Sequence, residues 1–136
     1  MEQFDEQTVT AAGVIDHIGF EVTDLARSTP FYDAVLYALG ARRMVQSEHA
    51  VAYGVNRPQV WIVRRPTHPR KPGPGYGHLA LQASGKAAVD AAHAAGLANG
   101  GSDDGAPGMR PQYGERYYAA YLRDPDGLRL EVVSHR

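Results

Sequence analysis

Cysteine is missing from all 136 residues, which excludes disulfides, thiolate nucleophiles and Cys-ligated zinc. An excess of charge of either sign is missing too. Lys and Arg number 14 against 15 for Asp and Glu, a formal net charge of -1, so no nucleic-acid partner is expected. No apolar run approaches the roughly 18 residues needed to cross a bilayer, and no membrane partner is expected. The N-terminus has Glu2, Asp5 and Glu6 in place of the basic and apolar regions of a signal peptide. Residues 1–12 therefore read as a flexible tail, and a cytoplasmic location is expected. What remains, at 43% hydrophobic residues, suffices for an ordinary core. The length predicts a single domain over residues 13–135.

An internal repeat organises that domain. The run Val14 to Val22 reads as a strand. A helix through Phe31 to Leu39 follows and stops at Gly40. Pro30 fits the first turn of that helix, so Leu25 to Ser28 reads as a looser lead-in. Three strands are predicted next, over Ala41 to Ser47, His49 to Val55 and Gln59 to Arg64, with turns at Ser47-Glu48 and Asn56-Arg57-Pro58. The second half repeats the order. A strand at His78 to Gln82 leads to a helix from Lys86 to Ala95 that stops at Gly96, then a weak strand near Ala98 to Ser102 and a Gly/Pro-rich loop. Tyr117 to Arg123 and Leu128 to Ser134 close the pattern as a hairpin across the Asp124-Pro125-Asp126-Gly127 turn. Both halves read β-α-β-β-β, as modules 13–64 and 77–135. Residues 65–76, with four prolines, form a stiff linker. Aligning the halves pairs Ala52-Tyr53 with Ala120-Tyr121, and the region of Trp61 with Glu131.

Three residues in these strands carry the chemistry. His17, His78 and Glu131 each alternate with bulky aliphatics: Ile18, Phe20 and Val22; Leu79 and Leu81; Leu130 and Val132. Alternate side chains of a strand share a face. The aliphatics therefore face a core, and the two imidazoles and one carboxylate face the opposite side. If they converge, they form a divalent-metal site with open positions, which Zn, Fe, Mn and Ni all tolerate. The alternative is that the three bond one another or water inside a binding cavity. His49, His68, His93 and His135 receive no role, and His93 is expected to be exposed on the second helix.

This set of motifs resembles the vicinal oxygen chelate superfamily, which includes glyoxalase I, extradiol dioxygenases, fosfomycin-resistance transferases and bleomycin-resistance proteins. The resemblance rests on the His17 strand, a Phe31-Tyr32 helix ending in Leu39-Gly40, the His78 strand, and the Asp124-Pro125-Asp126-Gly127 hairpin followed by Glu131. It spans about residues 13 to 135. It implies an α+β fold of two paired βαβββ modules forming a curved, mostly antiparallel sheet around one cavity, with the helices outside. Pairing occurs within a chain or across a dimer, and a homodimer is expected. It implies His17, His78 and Glu131 as metal ligands and Tyr121 as a tyrosine beside the metal. The fourth ligand of glyoxalase I falls on Trp61, which cannot ligate, or with a shift on Gln59. The His that ring-cleaving members keep before the last hairpin has no counterpart in Arg110-Pro111-Gln112-Tyr113-Gly114.

Tyr53, Trp61, Tyr113 and Tyr121 are candidates to line a pocket, with Arg110 as an anion contact and Gln112 as a hydrogen-bond donor. The expected function is a metal-dependent enzyme of the lactoylglutathione lyase-like or dioxygenase-like group, acting on a small molecule with adjacent oxygens. The alternative is a binding protein of the bleomycin-resistance type, with no catalysis. No catalytic residue is assigned.

Overall fold

The computed structural model describes residues 13–65 and 78–136. The expected tail, and the linker but for Arg65, lie outside the described residues. Helix α1, Leu25–Ala38, begins at Asp24, whose carboxylate accepts from the Ala26 and Arg27 N–H groups. This N-cap overrides the proline signal. Pro30 lies inside the helix rather than in its first turn, so the expected loose lead-in is helical. The missing N–H leaves the carbonyl of solvent-exposed Ala26 free to bond water. Ser28, Phe31, Tyr32, Val35 and Leu36 form its buried stripe, and Gly40, at φ 90°, stops it.

Helix α2, Lys86–Ala98, runs past Gly96, the residue expected to end it. Gly96 is instead a contact residue. A Cβ there would sit 2.8 Å from Leu122 Cδ1 and 3.1 Å from Phe31 Cε1. Gly100, at φ 99°, follows the helix end. His93 corrects the expectation of exposure. It shares the buried stripe with Val89, Ala92 and Gly96, and its Nε2 pairs with Asp103 Oδ1 at 2.8 Å. That bond holds the Asp103 carboxyl below its usual range.

Among the described residues, eight strands make two four-stranded sheets. The first has β1 (Ile18–Val22), β2 (Arg42–Gln46), β3 (Ala50–Gly54) and β4 (Val60–Arg64) in the order β1-β4-β3-β2. The second has β5 (Leu79–Gln82), β6 (Ser102–Met109), β7 (Tyr118–Arg123) and β8 (Arg129–Ser134) in the order β5-β8-β7-β6. The β1-β4 and β5-β8 pairs are parallel and the rest antiparallel. The α+β fold of two βαβββ units is thus the expected one. Strand β6 takes the place of the expected Gly/Pro-rich loop. As an edge strand it tolerates Pro107, and register shifts around Gly105 hide its alternation.

One core runs through both units, from Phe20 and Ile62 through Phe31, Val35 and Val89 to Leu122 and Leu130. The helices pack on each other, each on its own sheet, and so join the units. The Asp124–Gly127 turn clasps this seam. Tyr32 Oη donates to Asp124 Oδ2 at 2.5 Å. Asp126 accepts from the Thr23 hydroxyl at 2.8 Å and from the Arg27 guanidinium. No described helix is long and apolar enough to cross a membrane.

Burial raises the Asp124 carboxyl above its usual range, against the lowering effect of the Tyr32 hydroxyl and the Leu128 and Asp126 N–H groups. A raised folded-state pKa favours the protonated form. Its stabilising contribution is complete below the unfolded value and is lost as pH rises through the folded one. Asp124→Asn, neutral at every pH, is therefore expected to gain stability relative to the parent as pH rises from below the ordinary carboxylate range through and above it. Denaturant melts across that range check this, and a gap that narrows as pH rises would contradict it.

Candidate metal and ligand site

The site grows out of the alternation in β8. Leu130 and Val132 enter the core, and Glu131 turns to the other face yet remains only 2% exposed. Its two oxygens are separately engaged. His78 Nε2 lies 2.8 Å from Oε1, and the Tyr117 hydroxyl donates to Oε2. His78 immediately precedes β5, where Ala80 pairs with Glu131. On the other side, Tyr121 is the direct cross-strand partner of Glu131, and its ring centre lies 6.3 Å from that of His78. The guanidinium of Arg110 sits 5.5 Å from the Tyr121 ring centre.

Beside this group opens a cavity of about 340 Å³, lined by His78, Arg110, Gln112, Tyr113 and Tyr121 together with Asp104 and Arg129. A larger cavity, about 650 Å³, lies between the two units and is lined by Leu36, Leu39, Val60 and Leu81 among others. It contains no paired ligand-type groups, so chemistry favours the smaller one.

The remaining expected residues lie elsewhere. His17 precedes β1, its side chain 56% exposed, with Nδ1 bonded to Asp16 Oδ2 at 2.8 Å. It does not join His78 and Glu131 in this chain. Among the described residues no three His, Asp or Glu side chains gather as a metal group. Trp61 is half-buried on the open face of the first sheet, opposite Gly19 and Ala52.

Tyr53 lies away from the His78 cavity. It is buried in the core, its hydroxyl donating to Asp33 at 2.6 Å, and it borders a separate cavity of about 240 Å³ with Asp33, Arg42 and Arg43. The observed registers match Ala52 to Tyr121 through their partners Trp61 and Glu131. The sequence alignment of the halves was one residue out, and a one-residue slip turns a side chain to the opposite face.

Tyr117, Asp104 and Arg129 escaped the sequence reading. Tyr117 shares the odd-numbered parity of Ala119 and Tyr121, and Arg129 that of Glu131, so alternation alone could have flagged both. Asp104 stands where β6 shifts register, and no periodic signal marks it. The Tyr117 hydroxyl is pushed well above its ordinary range, first by its bond to Glu131 and then by burial. Tyr121 is raised first by burial and next by the Glu131 charge, while Arg110 lowers it. The Tyr117 phenol is thus held as a donor to Glu131.

Residues 14–132 match the sequence profile of the Glyoxalase/Bleomycin resistance protein/Dioxygenase superfamily. The chain belongs to this superfamily. A glyoxalase/bleomycin resistance protein from Albidiferax ferrireducens T118 shares 34% identity with it, at a TM-score of 0.78, over 90% of this chain and 98% of that one. A glyoxalase-related enzyme from Fulvimarina pelagi is 20% identical at a TM-score of 0.69, over 90% of this chain and 88% of that one. A lactoylglutathione lyase from Agrobacterium tumefaciens is 20% identical at 0.62, over 92% and 95%. These last two likenesses speak for the fold. No curated protein matches the chain.

Superfamily membership raises the question of a divalent metal, and the donor set fits one in part. Two donors bound at about 2.1 Å and roughly at right angles lie about 3 Å apart. His78 Nε2 and Glu131 Oε1, at 2.8 Å, meet that spacing. Tyr117 holds the other Glu131 oxygen, which leaves a single oxygen to ligate. Two donors leave a site incomplete, and His17 is the missing third of the expected set.

Proposed function

We propose that this superfamily member is a metal-dependent enzyme acting on a small molecule with two adjacent oxygens, in the lactoylglutathione lyase-like or dioxygenase-like group, and that it works in the cytosol as a homodimer. The observation that carries the proposal is the buried Glu131 carboxylate, 2.8 Å from Nε2 of His78, which lines a cavity with Arg110, Gln112, Tyr113 and Tyr121. His78 and Glu131 of one copy, with His17 of a second, would hold the ion. When bound, that ion would supply a Lewis acid that offsets charge developing on the substrate oxygens. Tyr117 orients the carboxylate. Tyr121 and Tyr113 offer ring faces to a planar ligand, and Gln112 offers an amide donor.

The dimer is supported by what surrounds His17. Val14 and Ile15 are 97% and 72% exposed, apolar surface that a second copy would cover. Strands β1 and β5 each stand at the end of their sheet's strand order among the described residues.

Protein purified without chelator or affinity tag is expected to carry about one divalent ion per chain, and His78→Ala to lose it, as read by elemental analysis. A second reading, a binding protein without catalysis, draws on Trp61 standing where glyoxalase I has its fourth ligand. A chain that takes up no Fe, Mn, Ni or Zn when each is supplied would favour that reading.

A further inference from the structure

Two arginines, Arg110 and Arg129, line the candidate cavity, a third, Arg123, shares a carboxylate with Arg129, and they are not in the same state. Arg129 Nε lies 3.1 Å from Asp104. Arg123 Nε lies 3.6 Å from the same carboxylate, with its Nη1 donating to the Gly127 carbonyl at 3.0 Å. Both are committed to the protein. Arg110 is different. Among the described residues no carboxylate lies within ion-pair distance of it. Its one hydrogen bond to the backbone from the side chain runs from Nη2 to the Ala106 carbonyl at 2.7 Å. A guanidinium has five N–H donors, so most of its capacity is unspent.

Its position is nonetheless built. The Arg110 N–H donates to the Tyr117 carbonyl at 2.7 Å, and the Arg110 carbonyl accepts from Tyr113 N–H at 2.9 Å. The guanidinium lies over Tyr121. A Cβ at Gly108 would come within 3.1 Å of Nη1, so the glycine leaves the head group room to lie across β6. A half-buried cation held over an aromatic face, with its fork directed to a cavity that also contains His78, has the form of an anion receptor.

We infer that Arg110 is the specificity-determining residue of this cavity, and that the ligand carries a carboxylate or similar oxyanion beside its adjacent oxygens. The inference rests on the reading of the His78 cavity as the ligand site. It goes further in naming an acidic substrate class and the residue that selects it.

Three probes separate the two claims. Benzoate has the anion alone, catechol the adjacent oxygens alone, and 3,4-dihydroxybenzoate has both. Calorimetric or NMR titration is expected to show 3,4-dihydroxybenzoate binding the metal-loaded protein about tenfold or more tightly than catechol. Arg110→Met is expected to remove that advantage while leaving catechol unchanged, and Arg110→Lys to restore part of it. In metal-free protein, benzoate is expected to perturb the resonances of Tyr121 and Gln112 saturably, and Arg110→Met to abolish this. Equal binding of the two catechols by the parent would overturn the inference. So would equal weakening of both by Arg110→Met, or benzoate failing to bind metal-free parent protein. If no metal is taken up while benzoate still depends on Arg110, the metal reading falls and the anion site stands.

Discussion

Mixing His17→Ala protein with His78→Ala protein, each unable to hold metal alone, is expected to restore metal to about one site in four if the site spans a two-fold dimer. The arithmetic follows from symmetry. Random exchange of subunits makes half of the dimers mixed. In each mixed dimer one site has both histidines intact, His17 from one chain and His78 with Glu131 from the other, and the second site has neither. A site closed within one chain gives no recovery at all, because every chain lacks one ligand. The experiment needs only a denaturation and refolding step, elemental analysis, and the unmixed variants as controls. Its outcome is near all-or-none because each first ligand removed leaves an incomplete set. Full metal content in unmixed His17→Ala would remove His17 from the site and leave His78 and Glu131 with some other third donor. The structural grounds are the separation of His17 from the other two and the exposure of Val14 and Ile15 beside it.

Much of this was legible in the strand alternation. Period-two patterning put Phe20, Val22, Leu130 and Val132 in the core, where they are buried, and put Glu131 on the other face with Tyr121 and His78. Proline and glycine signals misled where another contact, local at Pro30 and tertiary at Gly96, outweighed them. Pro30 did not delay α1, because the Asp24 cap was stronger. Gly96 did not end α2, because a larger residue there would strike Leu122 and Phe31. Tyr53 was misplaced because the repeat was aligned by residue likeness, Ala-Tyr with Ala-Tyr, when the registers differ by one. Convergence of His17 with the others was beyond the alternation argument in principle. Alternation assigns a face within one sheet and says nothing of how two sheets meet.

The tightest glycine contact linking the helices to the candidate cavity is Gly101, and Gly101→Ala is expected to be among the most destabilising small substitutions in the chain. Gly101 stands between α2 and β6. A Cβ on it would lie 2.3 Å from Phe31 Cε1, 2.8 Å from Phe31 Cδ1 and 3.0 Å from the Arg123 carbonyl oxygen. Phe31 cannot swing aside freely. It is 0% exposed, set edge-on to Tyr32 at 5.0 Å between ring centres, and Gly96 crowds the same Cε1 atom. The backbone oxygen has no rotamer to change.

Overpacking of this kind costs about 1–3 kcal/mol, a fall in Tm of roughly 5–10 °C for a chain of this length. Phe31→Leu shortens the offending side chain. The double variant Gly101→Ala/Phe31→Leu is therefore expected to be less destabilised than the sum of the singles, by about 1 kcal/mol or more. Additive losses would mean that the clash is not with Phe31, and an unchanged Tm for Gly101→Ala would mean that the seam yields at little cost. The consequence for function follows from the chain. Gly101 leads directly into β6, which carries Asp104, a lining residue of the cavity that pairs there with Arg129. Pressure at Phe31 is thus transmitted to the wall that Arg110 faces. Ligand affinity in Gly101→Ala is expected to fall together with its stability, and to return with it when Phe31 is shortened.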